Sequence, residues 1–333
     1  MPASSSPEFL SPEPGSSSSV FLPGVWSHSG PASDLVIRSD DGVDFHVHKD
    51  IMSMVSPVFK SMLQSYEDRL DLPDSKKVLD SIIYLIYFPA YAHERQLRTS
   101  ADLDGIWEVH QATRKYELTG PRRILEYLLL DPALVQAHPY RLFAIARLCT
   151  IPQLDMQAAM FTLEHPVCPP LSKFPELWHL PAEAFHNIYG FHHLCSERAE
   201  KVVEQTMSWR REKRLDDGVG TNRLFVWWQL QGGGHTDGCG AIVKDYAAGG
   251  HIQREMIPAE WFRRHIEAVA LSVKGTPSAN ASEEAALEVS PSGAAAISRC
   301  SACHQFASMD LEDYARQLRR AVEQSNDAVW KGL

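Results

Sequence analysis

Two short stretches carry side chains whose types and spacing could do chemistry. The segment CSACH, Cys300 to His304, sets two thiols three residues apart, the interval at which two thiolates reach one zinc ion. Upstream, HTDGCG offers His235 and Cys239 in a glycine-rich loop. Together these four residues would form a closed Cys3His site joining a hairpin to a helix. The glycines of QGGGHTDGCG suit a loop wrapped round a metal and equally a plain mobile loop. Two readings therefore stay open, a zinc site or half-buried thiols on the face of the last helix. A redox Cys-x-x-Cys would start a helix after a thioredoxin-like βαβ pattern. An alanine-rich polar stretch precedes Cys300 instead.

The second stretch is DGVDFHVHKD, Asp41 to Asp50, where His46 and His48 stand one residue apart among carboxylates. Residues two apart on a strand share a face, so the pair could converge on a metal or prime a base. A metal would need further ligands at converging positions, and only Asp44 shares that face. The adjacent His192-His193 and Trp227-Trp228 have no Gly-x-Ser-x-Gly, Walker-type loop or His-Glu-x-x-His beside them. No catalytic set emerges, and the chain is expected not to be an enzyme. The tryptophans follow LFV and read as core.

The elements around these residues explain the histidines better. DLVIR is a short apolar strand, SDDG a turn, and VDFHV alternates with Val43, Phe45 and Val47 on one face. His46 then lies on the polar face and His48 just past the strand. From there the period changes to helical, through Ile51, Met54, Val55, Val58, Phe59 and Met62, with Ser56-Pro57 separating two helices. DRLDLPD supplies a brief strand. Three more helices follow, through Val78 to Ile86, Leu103 to Tyr116, and GPRRILEYLLL. The plan is α+β, a small sheet capped by a helical cluster.

This order and its residues resemble the BTB/POZ domain. The likeness rests on DLVIRSDDGVDFHVHKDIMSMVSPVFKSML, with Asp34 before the first strand, Gly42 in the turn, and His48-Lys49 opening the first helix. LDLPD, IYLIYFP and ATRKYELTGPRRILEYLL resemble the later strand and helices, with Tyr116 as the usual aromatic. In that family the histidine at His48 is structural. The following helical hairpin, Tyr140 to His165, pairs Phe143, Ala146 and Leu148 with Met156, Ala159 and Leu163. It loosely resembles the start of a BACK domain, and the whole plan resembles a group of fungal BTB proteins with a helical tail.

The expected layout is a Ser/Pro-rich disordered tail over 1–33 and a BTB/POZ domain over 34–130. A helical extension then spans 131–215, and a C-terminal helical region spans 216–333 with a flexible insertion near 274–297. DLEDYARQLRRAVEQSNDAVW reads as an amphipathic helix with Leu311, Tyr314, Leu318, Val322 and Val329 on one stripe. With 333 residues and 44% hydrophobic content the chain can fill two cores. A net charge of -10 argues against general nucleic-acid binding, which needs a basic surface. The cluster RREKR, Arg210 to Arg214, reads as a solvated helix end. No apolar run reaches the roughly 20 residues of a membrane span. The six cysteines show no small-scaffold disulfide spacing. A cytoplasmic or nuclear location is expected.

The resemblance implies a protein-interaction scaffold that self-associates, as a homodimer or with another BTB chain, through the first strand and first helices. Ile51, Met52 and Met54 are the expected contacts. Some members also act as adaptors that recruit a cullin ubiquitin-ligase scaffold through a hydrophobic-x-Glu motif after the second helix. Here YED, Tyr66 to Asp68, ends in Asp, which shortens the carboxylate reach. The alternative is a zinc-stabilised C-terminal domain with its own binding or regulatory activity, for example in transcription. No cofactor other than zinc is suggested.

Overall fold

The computed structural model describes residues 33–65, 68–87, 97, 99–165, 175–209, 224–230, 235–236, 239–248 and 251–332. The tail over 1–32 and the RREKR cluster lie outside the described residues. The chain divides into two compact units. The first holds the residues up to His138 with Leu148–Ile151, and the second holds Pro139–Arg147 and Pro152 onward.

In the first unit, β1 (Leu35–Arg38) pairs antiparallel with β2 (Asp44–Val47), Ile37 opposite Phe45. β3 (Arg69–Asp71) lies parallel on the other side of β1, so the order is β2-β1-β3. The two-residue period sends Leu35, Ile37, Phe45, Val47 and Leu70 to one buried face. Val43 sits in the turn and is only partly buried. That turn needs Gly42, whose φ of +84° is a backbone region side chains rarely adopt. On the polar face Arg38 donates to both carboxylate oxygens of Asp44, at 2.6 and 2.9 Å.

Two short helices follow, α1 (Lys49–Val55) and α2 (Pro57–Leu63), broken at the extended Ser56. This serine is buried and uses both halves of its hydroxyl. Its oxygen accepts the N–H of Phe59 at 3.0 Å, and it donates to the carbonyl of Tyr116 at 2.6 Å. Pro57 takes the first helical position, where a missing N–H costs nothing. Then come α3 (Lys76–Tyr87), α4 (Ile106–Lys115), α5 (Thr119–Leu129) and α6 (Pro132–Ala137). Tyr116, at the end of α4, stacks on Phe59 with ring centroids 4.7 Å apart. Its hydroxyl donates to Asp74, which also holds Lys115 at 2.8 Å. Burial and the Asp74 carboxylate both raise the Tyr116 pKa, burial more. One tyrosine thus ties the helix pair to the turn before α3.

The second unit is mainly helical. Its elements include α7 (Pro139–Cys149, whose last residues belong to the first unit), α8 (Pro152–Thr162), α9 (Ala182–Thr206) and α10 (Glu260–Gly275). α11 (Ala279–Leu287), α12 (Pro291–Arg299) and the 30-residue α13 (Ser301–Trp330) complete it. Between α9 and α10 a 3-10 turn, Val226–Trp228, precedes the antiparallel hairpin of β4 (Ile242–Ala248) and β5 (His251–Ile257). Leu311, Tyr314, Leu318, Val322 and Val329 are all buried along α13, as their spacing predicts. In the α7–α8 region Phe143, Ala146, Ala159 and Leu163 are buried, but Met156 faces solvent and Leu148 is only partly buried.

Two expectations need correction. The stretch near 274–297, expected as a flexible insertion, is helical through most of its length. Ser278 and Ser290 cap α11 and α12 by accepting the N–H groups of Ala281 and Gly293. The small residues Ser282 and Ala286 are fully buried, and Ala and Ser let a helix approach its neighbours without large apolar side chains. The expected boundary at 215/216 also fails. Ala199 and Val203 of α9 share one core with Trp227, Phe262 and Tyr314, and the Tyr314 hydroxyl lies 2.9 Å from that of Thr206.

Two sets of buried polar side chains in this unit pair with each other. Arg141 and Glu176 form a buried fork, Nη2 to Oε1 at 2.6 Å. The Thr162 hydroxyl donates to the carbonyl of Ala159 at 2.6 Å. It can then only accept from His192 Nε2, 2.8 Å away. That leaves Nδ1 of His192 unprotonated and buried without a partner. Burial lowers the His192 pKa to about 4.

Two outcomes follow from these contacts. Ser56→Ala removes a cap and a buried hydrogen bond together and should cost roughly 2–3 kcal/mol in urea unfolding, with Tyr116→Phe costing about 1–2. For His192 the folded state binds fewer protons than the unfolded state between the unfolded value of 6.5 and about 4. Stability should be level above pH 7 and fall on the order of 3 kcal/mol as pH drops from 7 to 4. His192→Gln keeps a donor for Thr162 and should flatten that slope by one proton; equal slopes in the two proteins would refute the assignment.

Candidate functional site

The strand-to-helix junction accounts for the paired histidines. The backbone N–H of His48 donates to the Tyr87 hydroxyl at 2.8 Å, and its ring Nδ1 lies 3.1 Å from the same oxygen. The N–H of Lys49 donates to Asp34 at 2.9 Å. So Asp34, His48 and Tyr87 fix where the sheet hands over to α1. His46 sits opposite Val36 and Asp44 is engaged by Arg38. The metal reading of this pair finds no converging ligand set among the described residues.

Of the expected contact residues on α1, the structure exposes one and buries another. Met54 is 79% exposed, whereas Met52 is 1% exposed and belongs to the core. Met52 is therefore corrected from contact residue to core residue: it points inward from α1, the opposite way from Met54. Ile51 is partly buried. The first strand also cannot add a strand from another chain, because β2 and β3 already occupy both its edges. Asp68 is exposed, and Lys49 reaches it at 3.2 Å, an exposed pair worth little. Tyr66 lies outside the described residues.

In the second unit the four residues singled out by spacing do come together. His235, Cys239, Cys300 and Cys303 place their ligand atoms within 4.8 Å of one another. Sγ of Cys239 is 3.3 Å from that of Cys303, and Nδ1 of His235 is 3.3 Å from Cys300 and 3.7 Å from Cys303. The three cysteines are buried free thiols. Cys300 ends α12 and caps α13. Cys239 precedes β4, and the loop is held by the N–H of Ala241, which donates to Gln229 at 2.8 Å.

Gly240 makes the approach possible. Its φ is +100°, and a Cβ there would lie 3.0 Å from the Gln229 carbonyl and 3.1 Å from the His235 ring. Burial acts to raise the Cys300 pKa, but N–H groups of Cys303 and Thr236 and the neighbouring thiols outweigh it and bring it to about 6. Burial and the other thiols push Cys303 up. By contrast, Cys149 and Cys195 are raised to about 12, mainly by burial. Those two are inert core thiols. Three thiols with one imidazole form a donor set suited to a soft divalent cation. Elsewhere in the unit, a pocket lined by Phe143, Arg147, Asn187, Ile188 and Trp330 holds no nucleophile–base pair, and Arg147 is engaged by Asp155.

Two supports hold this cluster: the stack around Trp227, whose place in the core the preceding LFV indicates, and the Asp310 bond to Val226 N–H at 2.7 Å, which no motif marks. Only the buried stripe of α13 hinted that an acid at Asp310 would face inward.

A small mixed sheet capped by helices, with an exposed apolar side chain on its first helix, has the form of an interaction module. Residues 26–129 match the family model of the BTB/POZ domain, and the chain carries such a domain. The comparison with curated proteins gave no match.

The division between Met52 and Met54 can be read directly. Met52→Ala should cost roughly 2–4 kcal/mol of stability, and Met54→Ala should stay within about 0.5 kcal/mol, both by chemical unfolding.

Proposed function

We propose that the protein is an interaction scaffold whose BTB/POZ domain pairs with a second copy of the chain through the exposed face of α1. The observation that carries this reading is Met54, a large apolar side chain left 79% in water by a helix whose other methionine is buried. The family match supports a binding role for the domain. Both edges of β1 are taken, so the reading relies on helix faces, with Ile51 beside Met54 as the adjoining apolar surface. An apolar anchor at the centre of a contact is where binding energy concentrates.

Recruitment of a cullin is the second role that the family suggests. Its candidate residues are Tyr66 and Asp68, and the Asp68 carboxylate already meets Lys49. Among the described residues of the first unit, no contact favours this role over self-association.

Light scattering coupled to size exclusion on the full chain tests the proposal. The wild type should elute as a dimer, and Met54→Asp, which puts a charge into the contact without touching the core, as a monomer with unchanged circular dichroism. A monomeric wild type, or a Met54→Asp protein that stays dimeric, would overturn the reading.

A further inference from the structure

We propose that His235, Cys239, Cys300 and Cys303 hold one zinc ion in a closed structural site that clamps the start of α13 to the loop before β4. The inference is independent of self-association, since every ligand lies in the second unit.

The geometry is close to that of the ion. Zinc bound at about 2.3 Å to sulfur and about 2.0–2.1 Å to nitrogen sets tetrahedral edges of roughly 3.6–3.8 Å. Three separations here are 3.3, 3.3 and 3.7 Å and all six lie within 4.8 Å, so the cluster closes on an ion with shifts of about 1 Å or less. The imidazole presents Nδ1, which is the free donor when the proton sits on Nε2.

The backbone is arranged for sulfur that carries charge. N–H groups of Cys303 and Thr236 point at the sulfur of Cys300, and that of Gly240 at the sulfur of Cys239. A buried thiolate is costly unless paired, and amide donors together with a dication meet that need. Gly240 adds an independent sign. A side chain there would strike the Gln229 carbonyl and the His235 ring, so the close approach of His235 to the backbone at 240 requires glycine.

Four protein donors leave no open position, which makes the site structural rather than catalytic. Its energetic role follows from the chain path. The two halves are joined only through β4, β5, α10, α11 and α12, and closing such a loop costs entropy that metal binding offsets in the folded state alone.

The test uses the full chain purified from zinc-containing medium without chelator. Elemental analysis should find one zinc per chain. Exchange with cobalt(II) should give the d–d absorption of a tetrahedral site and charge-transfer bands from three thiolates. Cys303→Ser should lose the stoichiometric metal, Cys195→Ser should keep it, and His235→Cys should retain it as a four-thiolate site. Zinc well below one per chain, a Cys239–Cys303 disulfide in peptide mapping, or zinc undiminished in Cys303→Ser would each overturn the proposal. The cobalt spectrum of the unaltered chain decides the donor set even if the variants fail to fold.

Discussion

The burial of Trp227 is the contact on which the second unit depends. Its ring lies between Phe225 and Phe262, stacked at 4.7 and 4.1 Å, with Trp261 and Tyr314 meeting it edge-on. Burying a ring of this size contributes roughly 4–6 kcal/mol at about 25 cal/mol per Å². The backbone around it is committed as well. Asp310 takes the N–H of Val226, and Ala259 donates its N–H to the Trp227 carbonyl at 2.9 Å. A segment that would otherwise be a connecting loop is thereby threaded through the core, between α9, α10 and α13. Its continuation, Gln229 and Leu230, then meets Ala241. That meeting sets Cys239 against the first turn of α13. The ligand cluster is a consequence of aromatic packing some residues upstream.

The first unit solves a different problem with the same economy. Helices as short as α1 and α2 are marginal alone, and their break at Ser56 would leave buried backbone groups without partners. Ser56 supplies both a donor and an acceptor there, and Tyr116 supplies the ring that covers Phe59. Because α1 is pinned at its start by Asp34 and Tyr87 and at its end by Ser56, its orientation is fixed, and so is the outward face that carries Met54. The exposed side chain is presented by a fixed element, so little ordering entropy would be lost if a partner covered it, as proposed.

How much of this could be read from residues alone follows from the contrast each segment carries. Strand parity placed Phe45 and Val47 inside because apolar and polar residues alternate without exception there. The α13 stripe was equally plain. The convergence of His235 with three cysteines was legible because cysteine is rare here, six in the chain, and its spacing is informative. Met52 and Met54 could not be separated, since two methionines two apart on a short helix give no amphipathic signal. The helices α11 and α12 were missed for a related reason. Their buried residues are Ser282, Ala286 and Gly293, and small side chains carry almost no hydropathy contrast even when fully enclosed. The caps at Ser278 and Ser290 and the proline at 291 were the available signals. The β4–β5 hairpin was only hinted at, because a two-stranded ribbon leaves much of its surface in water and need not alternate.

A core built on small residues has a further consequence for the cluster. α11 and α12 bring Ser282, Ala286 and Gly293 to the interior, so the junction at Cys300 is enclosed by small side chains, whereas the middle of α13 encloses Tyr314, Leu318 and Val322. On the opposite side Cys239 and Ala241 are buried in the same core, and neither brings a large apolar side chain. Three sulfur atoms and an imidazole enclosed among small side chains need polar partners, which apolar contact does not supply. A metal bound as proposed would meet that need with directed bonds, which is the physical reason to place it there and not in the aromatic centre of the unit.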